Sequence, residues 1–382
     1  MRVMHVIDSL GAGGAEQSLF ELLPGLRAAG VESSVVCLIR RTAGVHDAVV
    51  EAGYPVLVVG ADRIRAVRAI RREIRRRRPD IVHTSVYEAD VLGRLAAAGT
   101  PAKVLTSLVN TYGSIRLADP SIDRRKLAAA RAVEGFTARH LTDRFHAVSA
   151  TVKASAVTEL RIDPAAVTVV ERGRNLSRLG EATPARRAAV RGQLGLPENA
   201  EVVLHVGRQD PRKGLLTLLE AMIELARERP RLVLLQAGRE GAATDVLLQL
   251  AGSSGVADRL RFLGHRTDIG SLLAAADVFA FPSVSEGGGG SLLEAMAMSV
   301  PAVTTDIAAM LDVTDGGEGV ALVPVGDAAA LARAVGDYLD DPARAAEQAA
   351  RAHKLFLDRF TLERSVAGMV QLFRDLAAEG SH

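Results

Sequence analysis

Short apolar runs separated by helical patterns recur along this chain, and that alternation constrains the fold more than any other feature. Runs at 3–7, 33–38, 56–59, 81–84, 103–107, 144–148 and 167–170 read as buried strands with helical spacing between most of them. A polar stretch at 176–199 interrupts the series, with Pro184 and Pro197 bracketing an Arg/Ala-rich helical segment. A second series follows at 202–206, 232–236, 260–263, 278–281, 302–305 and 320–323, and helical patterns at 342–356 and 362–378 close the chain. Strands alternating with helices of this length require parallel sheets covered on both faces. The expected class is α/β, with two Rossmann-like halves whose sheets face across a central cleft. The expected divisions are an N-terminal half at 1–177, a C-terminal half at 178–355, and a helix at 356–382 that packs back on the first half. In such sheets, ligands bind outside the carboxyl ends of the strands.

Composition mainly excludes. The 382 residues are 48% hydrophobic but only 3% aromatic, with no Trp, so the cores rest on Leu, Val, Ala and Ile. A formal net charge of +2 carries no electrostatic message for the whole chain. Cys37 is the only cysteine, which rules out an internal disulfide and a cysteine metal cluster and fits a cytoplasmic setting. The first residues are too few and too polar for a signal h-region, and no apolar stretch is long enough to span a membrane.

The residues that carry chemistry lie where strands end. Glu286 and Glu294 bracket Gly287, Gly288, Gly289 and Gly290, with Ser291 opening a helix. Unpaired N–H groups at a helix start, with glycines that admit a ligand, suit a diphosphate, and acids on either side suit hydroxyl groups. The spacing predicts Glu294 near the first turn of that helix. Arg208 and Lys213 occupy the loop after the first strand of the second half and offer a fork of donors and a point charge. Gly264-His265-Arg266 follows another strand, where backbone groups can read a base edge. Near the N-terminus, Gly11-Ala12-Gly13-Gly14-Ala15-Glu16 resembles a phosphate turn, but Glu16 replaces the third glycine of the dinucleotide pattern. No acid follows the second strand to hold a ribose, which disfavours NAD, although Arg40 suits a 2′-phosphate and leaves an NADP-dependent enzyme as a distant alternative. His83, Tyr87, Glu88, Asn110 and Tyr112 end strands of the first half. Residues 63–78 hold nine arginines with apolar residues at helical spacing, which reads as a surface helix or as a face for an anionic membrane. Nucleic acid is disfavoured by the near-neutral total charge and the lack of an aromatic platform.

Taken together, residues 282–286 through Glu294-Ala295-Met296-Ala297, the Gly207-Arg208 to Lys213-Gly214 loop and Gly13-Gly14-Ala15-Glu16 resemble the retaining glycosyltransferases of family 4. The resemblance spans nearly the whole chain and implies the GT-B fold. It implies donor binding by Gly13, Gly14, Arg208, Lys213, Gly238, Arg266, Glu286, Gly288, Gly289, Gly290, Ser291 and Glu294. Glu286 would meet the donor sugar, Glu294 the ribose, and Arg208 and Lys213 the diphosphate. Glu286, Arg208, Lys213 and Asn110 would be catalytic, Asn110 standing where many members carry a histidine. Tyr87, Glu88, Asn110 and Tyr112 are the acceptor candidates. Gly288 replaces the usual aromatic of the glutamate motif, and Arg172-Gly173 replaces an Asn-Gly pair.

The expected activity is metal-independent, retaining transfer of a hexose or N-acetylhexosamine from a UDP- or GDP-sugar to a hydroxyl on a glycan, lipid or natural-product aglycone. The expected partners are this nucleotide sugar and its acceptor, with no further cofactor. A sugar-nucleotide epimerase and a non-catalytic nucleotide-sugar binder share the architecture and stand as alternatives. The expected location is cytoplasmic, with residues 63–78 as the candidate contact to the inner membrane face.

Overall fold

Each apolar run forms a strand. β1 (Arg2–Ile7), β2 (Glu32–Cys37), β3 (Val56–Val58), β4 (Ile81–Ser85), β5 (Lys103–Leu108), β6 (Arg144–Ala147) and β7 (Val167–Val169) make a sheet in the order β3-β2-β1-β4-β5-β6-β7. β8 (Glu201–Val206), β9 (Leu232–Ala237), β10 (Leu260–Phe262), β11 (Val278–Phe281), β12 (Ala302–Thr305) and β13 (Ala321–Val323) make another, in the order β10-β9-β8-β11-β12-β13. All these strand pairs are parallel. The computed structural model describes residues 1–111 and 123–379; the expected acceptor contact Tyr112 lies outside them. The described residues divide into a first unit of 1–111, 123–173 and 362–379 and a second of 174–361.

In the second unit, alternate residues of the sheet feed two separate cores. Val202, Leu204, Phe279 and Phe281 face Leu292 and Met296 on one side. Val203, Val278 and Ala280 face Leu218, Met222 and Leu331 on the other. Burial on both faces is why these strands read as unbroken apolar runs. In the first unit, Val3, Ile81 and Leu105 pack against Leu372, Phe373 and Leu376 of the helix Leu362–Ala378. Two glycines let that helix settle closely. A methyl on Gly25 would stand 2.6 Å from Val366, and one on Gly368 would stand 2.7 Å from Val170.

Both sheets reverse strand order once, between β1 and β4 and between β8 and β11. Such switch points splay the adjoining loops and open a crevice at the carboxyl edge. The loops after β8 and β11 carry Arg208, Lys213 and Glu286. Among the described residues no helix is long and apolar enough to cross a membrane.

Candidate functional site

In the second unit the loop after β8 runs through Arg208 to a short 3-10 turn, Pro211–Lys213, and then into the helix Leu215–Glu228. Gly214 joins the two at φ 64°, in the left-handed region that favours glycine. A methyl there would collide with the Pro282 carbonyl oxygen, so this glycine brings the β8 loop against the end of β11. The contact is what pairs Lys213 Nζ with Glu286 Oε1. Ser283 Oγ donates to the same oxygen at 3.0 Å. Both groups engage Oε1, which leaves Glu286 Oε2 as the acceptor atom available to a ligand hydroxyl. Lys213 also stands 5.4 Å from the Phe281 ring centre.

Arg208 is held differently. Asp210 accepts from Arg208 at 2.5 Å and from Arg212 Nε at 3.0 Å, and it caps the 3-10 turn through the Arg212 N–H. Burial alone would raise the Asp210 pKa, but hydrogen bonds from Arg212 and Arg208 overcome it and bring the value down to about 2. Asp210 is therefore a fixed anion that aims two guanidinium groups. Arg208 remains 48% exposed, so its fork is accessible. Gly238, after β9, sits so close to the Gly207 carbonyl that a side chain would collide with it, and its N–H donates to Gly264 O at 2.8 Å. The ends of β8, β9 and β10 thus converge through three glycines. Arg266 pairs with Asp268 at 2.6 Å.

The glycine loop ends at Gly289, φ 55°, which caps the helix Gly290–Ala297. Gly288 is buried in that loop, Ser291 is the second residue of the helix, and Glu294 is the fifth. Glu294 therefore lies just past the first turn, close to where its spacing from Glu286 suggests, and the helix dipole, which fades within that turn, is not its main support. Two arginines are. Arg178 donates to Glu294 Oε1 at 2.8 Å and Arg174 Nε lies 3.4 Å from it. The Arg174 guanidinium also lies on Gly290, where any side chain would displace it. Sequence reasoning missed both arginines, because 116 residues separate Arg178 from Glu294. The nearest signal was the basic run after β7. It also missed His205. The His205 Nδ1–H donates to Ala280 O at 2.9 Å, while its buried Nε2 finds no partner and adjoins Gly207. Burial lowers its pKa to about 4.

In the first unit Gly13 caps the helix Gly14–Ala28, and the Glu16 carboxylate folds back over it, in space that a side chain at Gly13 would claim. Asp8, after β1, accepts from the Ala89 N–H at 2.7 Å and so links the loops of β1 and β4. Burial raises the Asp8 carboxyl to about 6. Tyr87 and Glu88 open the helix Tyr87–Ala97, where Tyr87 donates to Ala130 O at 3.2 Å and Glu88 pairs with Arg63 at 2.7 Å. Asn110 is exposed just beyond β5.

Beneath these loops a file of polar side chains crosses the sheet from β2 to β7. Ser33 meets His5 at 3.2 Å, His5 meets His83 at 2.9 Å, His83 meets Ser107 at 2.6 Å, Ser107 meets His146 at 2.7 Å, and His146 meets Val170 O at 2.9 Å. All the side chains in it are buried. Burial lowers His5 to about 3 and His146 to about 4, and it drives His83 well below its ordinary value. With neutral rings, one end fixes every proton. The Val170 carbonyl can only accept, so His146 Nε2 carries hydrogen and its Nδ1 accepts from the Ser107 hydroxyl. Ser107 then accepts from His83 Nε2–H, His83 Nδ1 accepts from His5 Nδ1–H, and His5 Nε2 accepts from Ser33. Every polar atom in the file is satisfied, and all bonds run one way. A cavity of about 50 Å³ borders the file, lined by Ser107, His146, Arg172, Ser365 and Met369 among others. No three or more His, Cys, Asp or Glu side chains cluster as a metal site among the described residues.

Residues 12–178 match the sequence profile described as Glycosyltransferase Family 4, and residues 200–341 match that described as Glycosyl transferases group 1. The D-inositol 3-phosphate glycosyltransferase of Salinispora arenicola is 32% identical over 317 residues, covering 78% of this chain and 69% of that protein. The lipopolysaccharide core biosynthesis glycosyltransferase LpsE of Rhizobium meliloti is 35% identical over 185 residues, covering 48% of this chain and 53% of its own length. The crystal structure of Anabaena Alr3699/HepE with UDP and glucose superimposes with a TM-score of 0.86 at 20% identity, over 98% of this chain and 100% of that one. With its two parallel sheets of Rossmann order and its profile matches along both series of strands, the chain belongs to the family 4 glycosyltransferases of GT-B fold.

Proposed function

We propose that this glycosyltransferase is a retaining, metal-independent enzyme that moves a hexose or N-acetylhexosamine from a UDP- or GDP-sugar to a hydroxyl acceptor. The observation that carries the reading is the cluster of Lys213, Glu286 and Ser283 at the β8/β11 switch point, beside the accessible guanidinium of Arg208. In this reading the donor lies along the carboxyl edge of the second sheet. Glu286 Oε2 accepts a hydroxyl of the sugar. Arg208, Lys213 and the N–H groups at Gly289 and Gly290 face the diphosphate. Glu294, steadied by Arg174 and Arg178, takes the ribose hydroxyls. As the glycosidic bond breaks, negative charge gathers on the leaving diphosphate, and cations already aimed at it stabilise the transition state without reorganisation. Front-face attack, with the leaving phosphate accepting the acceptor's proton, returns the same anomeric configuration. A UDP complex of a structural neighbour and a family of shared fold support a uridine donor.

A thermal-shift screen with UDP-, GDP-, ADP- and dTDP-sugars identifies the donor, because binding the native state raises the melting temperature. With that donor, Lys213→Ala is expected to lose roughly two orders of magnitude in transfer rate, the usual cost of one lost charge-stabilising group. Glu286→Ala should lose at least as much. Near wild-type transfer in both variants would sink the reading. NMR of the product's anomeric configuration tests retention, and donor incubated alone separates transfer from epimerisation.

A further inference from the structure

Two glutamines lie buried where β8 and β9 end, Gln209 at 2% exposure and Gln236 at 1%. Gln236 Nε2–H donates to Gly207 O at 2.7 Å, and Gln236 Oε1 accepts from Gln209 Nε2–H at 2.9 Å. Gln209 Oε1 accepts from the Thr244 hydroxyl at 2.7 Å, and Thr244 Oγ1 accepts from the Gly241 N–H at 2.9 Å. A carbonyl at one end can only accept and a backbone N–H at the other can only donate, so both amide orientations are fixed. The Gln209 backbone is held as well. Its N–H donates to Arg239 O at 2.9 Å, and its carbonyl accepts from the Ala243 N–H at 3.0 Å. Glycines admit this close approach. A methyl on Gly238 would collide with Gly207 O, and one on Gly241 would stand 2.5 Å from Gln209 O and 3.4 Å from Arg208 Cγ.

We infer that Gln209, Gln236 and Thr244 form a clasp that aims Arg208, which makes all three positioning residues for sugar transfer. The inference rests on the reading of Arg208 as a diphosphate contact. Arg208 stands between the two points that the clasp fixes, the Gly207 carbonyl and the Gln209 amide. Its stem lies over Gly241, and Asp210 ties its tip at 2.5 Å. A cation pinned at its backbone and tied at its tip keeps one direction while charge gathers on the leaving group, as preorganised stabilisation requires. Aliphatic side chains of the same volume would fill the space between the loops. They would set no direction, and they would take a buried hydrogen bond from Gly207 O. Direction is what the two amides add at the edge where the ladder of β8 and β9 runs out.

The test is steady-state kinetics of the full chain with the donor found by thermal shift. Gln236→Met keeps the volume and removes both of its hydrogen bonds. It should lower kcat by ~10-fold or more, since a misplaced group costs up to ~100-fold, while donor KM moves less than ~3-fold. Thr244→Val is isosteric, removes the outer link of the clasp and should lower kcat by ~3-fold. Each is then combined with Arg208→Ala. A clasp that acts through Arg208 leaves the double variants no slower than Arg208→Ala alone, whereas independent sites multiply their losses. Wild-type kcat in Gln236→Met or in Thr244→Val overturns the inference, as do double variants in which the losses multiply. If Gln236→Met does not fold, Thr244→Val carries the same comparison. Wild-type transfer by Arg208→Ala overturns the donor reading itself and this inference with it, and so separates the two failures.

Discussion

Replacing His5 with Gln isolates one member of the buried file and gives a measurable proton linkage. Gln keeps a donor toward His83 and an acceptor toward Ser33 but does not titrate. In the native chain burial lowers His5 from 6.5 to about 3. Above pH 6.5 the folded and unfolded states both hold a neutral imidazole, and His5 adds no pH dependence. As pH falls below 6.5 the unfolded state binds a proton that the native state refuses, so stability is lost until the native pKa is reached. At pH 5 the gap is about 1.5 units, or about 2 kcal/mol. Asp8 and Asp90, pushed up by burial to about 6 and about 7, act in the opposite sense. They protonate first in the native state and offset much of the loss in wild type. They occur in both proteins, so they cancel when the variant is subtracted. Urea unfolding followed by far-UV circular dichroism suits a chain without Trp. Between pH 8 and pH 5, wild type should lose about 2 kcal/mol more than His5→Gln. Parallel curves, or an NMR titration placing His5 near its ordinary value, would refute the neutral file.

Arg174→Ala removes one of two cations that hold Glu294. The donor KM should rise about tenfold, near 1.4 kcal/mol, because Arg178 remains in place. The rate at saturating donor should change far less, and Arg174→Lys should recover part of the loss. Gly214→Ala places a side chain at φ 64° against the Pro282 carbonyl, and urea unfolding should show the second unit destabilised by about 2–3 kcal/mol.

The strands were legible because burial on both faces of a parallel sheet leaves a continuous apolar run, a signal that survives without any knowledge of pairing. Contacts between elements were not legible. That Lys213 touches Glu286 depends on β8 lying beside β11, and 73 residues separate the two side chains. Glu294 was expected near the first turn and stands just past it, because the helix opens at Gly290, one residue before Ser291. Arg178 falls in the polar stretch at 176–199 and Arg174 just before it, with nothing in the sequence to tie either to Glu294. The file from Ser33 to Val170 appears in sequence as single histidines and serines in unrelated strands, since a hydrogen bond between neighbouring strands leaves no periodic trace.

The helix Leu362–Ala378 has a consequence for how the chain is made. Its Leu372, Phe373 and Leu376 complete the core around Val3, Ile81 and Leu105, yet the whole of 174–361 precedes it in the chain. A ribosome therefore releases the opening strands, then roughly 190 further residues over about 10–40 s, before the helix that covers those strands exists. The second unit, which among the described residues is the single stretch 174–361, can finish folding while the first is still open. Usual vectorial order is reversed: the part synthesised first is the part completed last. During that interval the apolar face around Val3, Ile81 and Leu105 is without the helix that Phe373 brings to it.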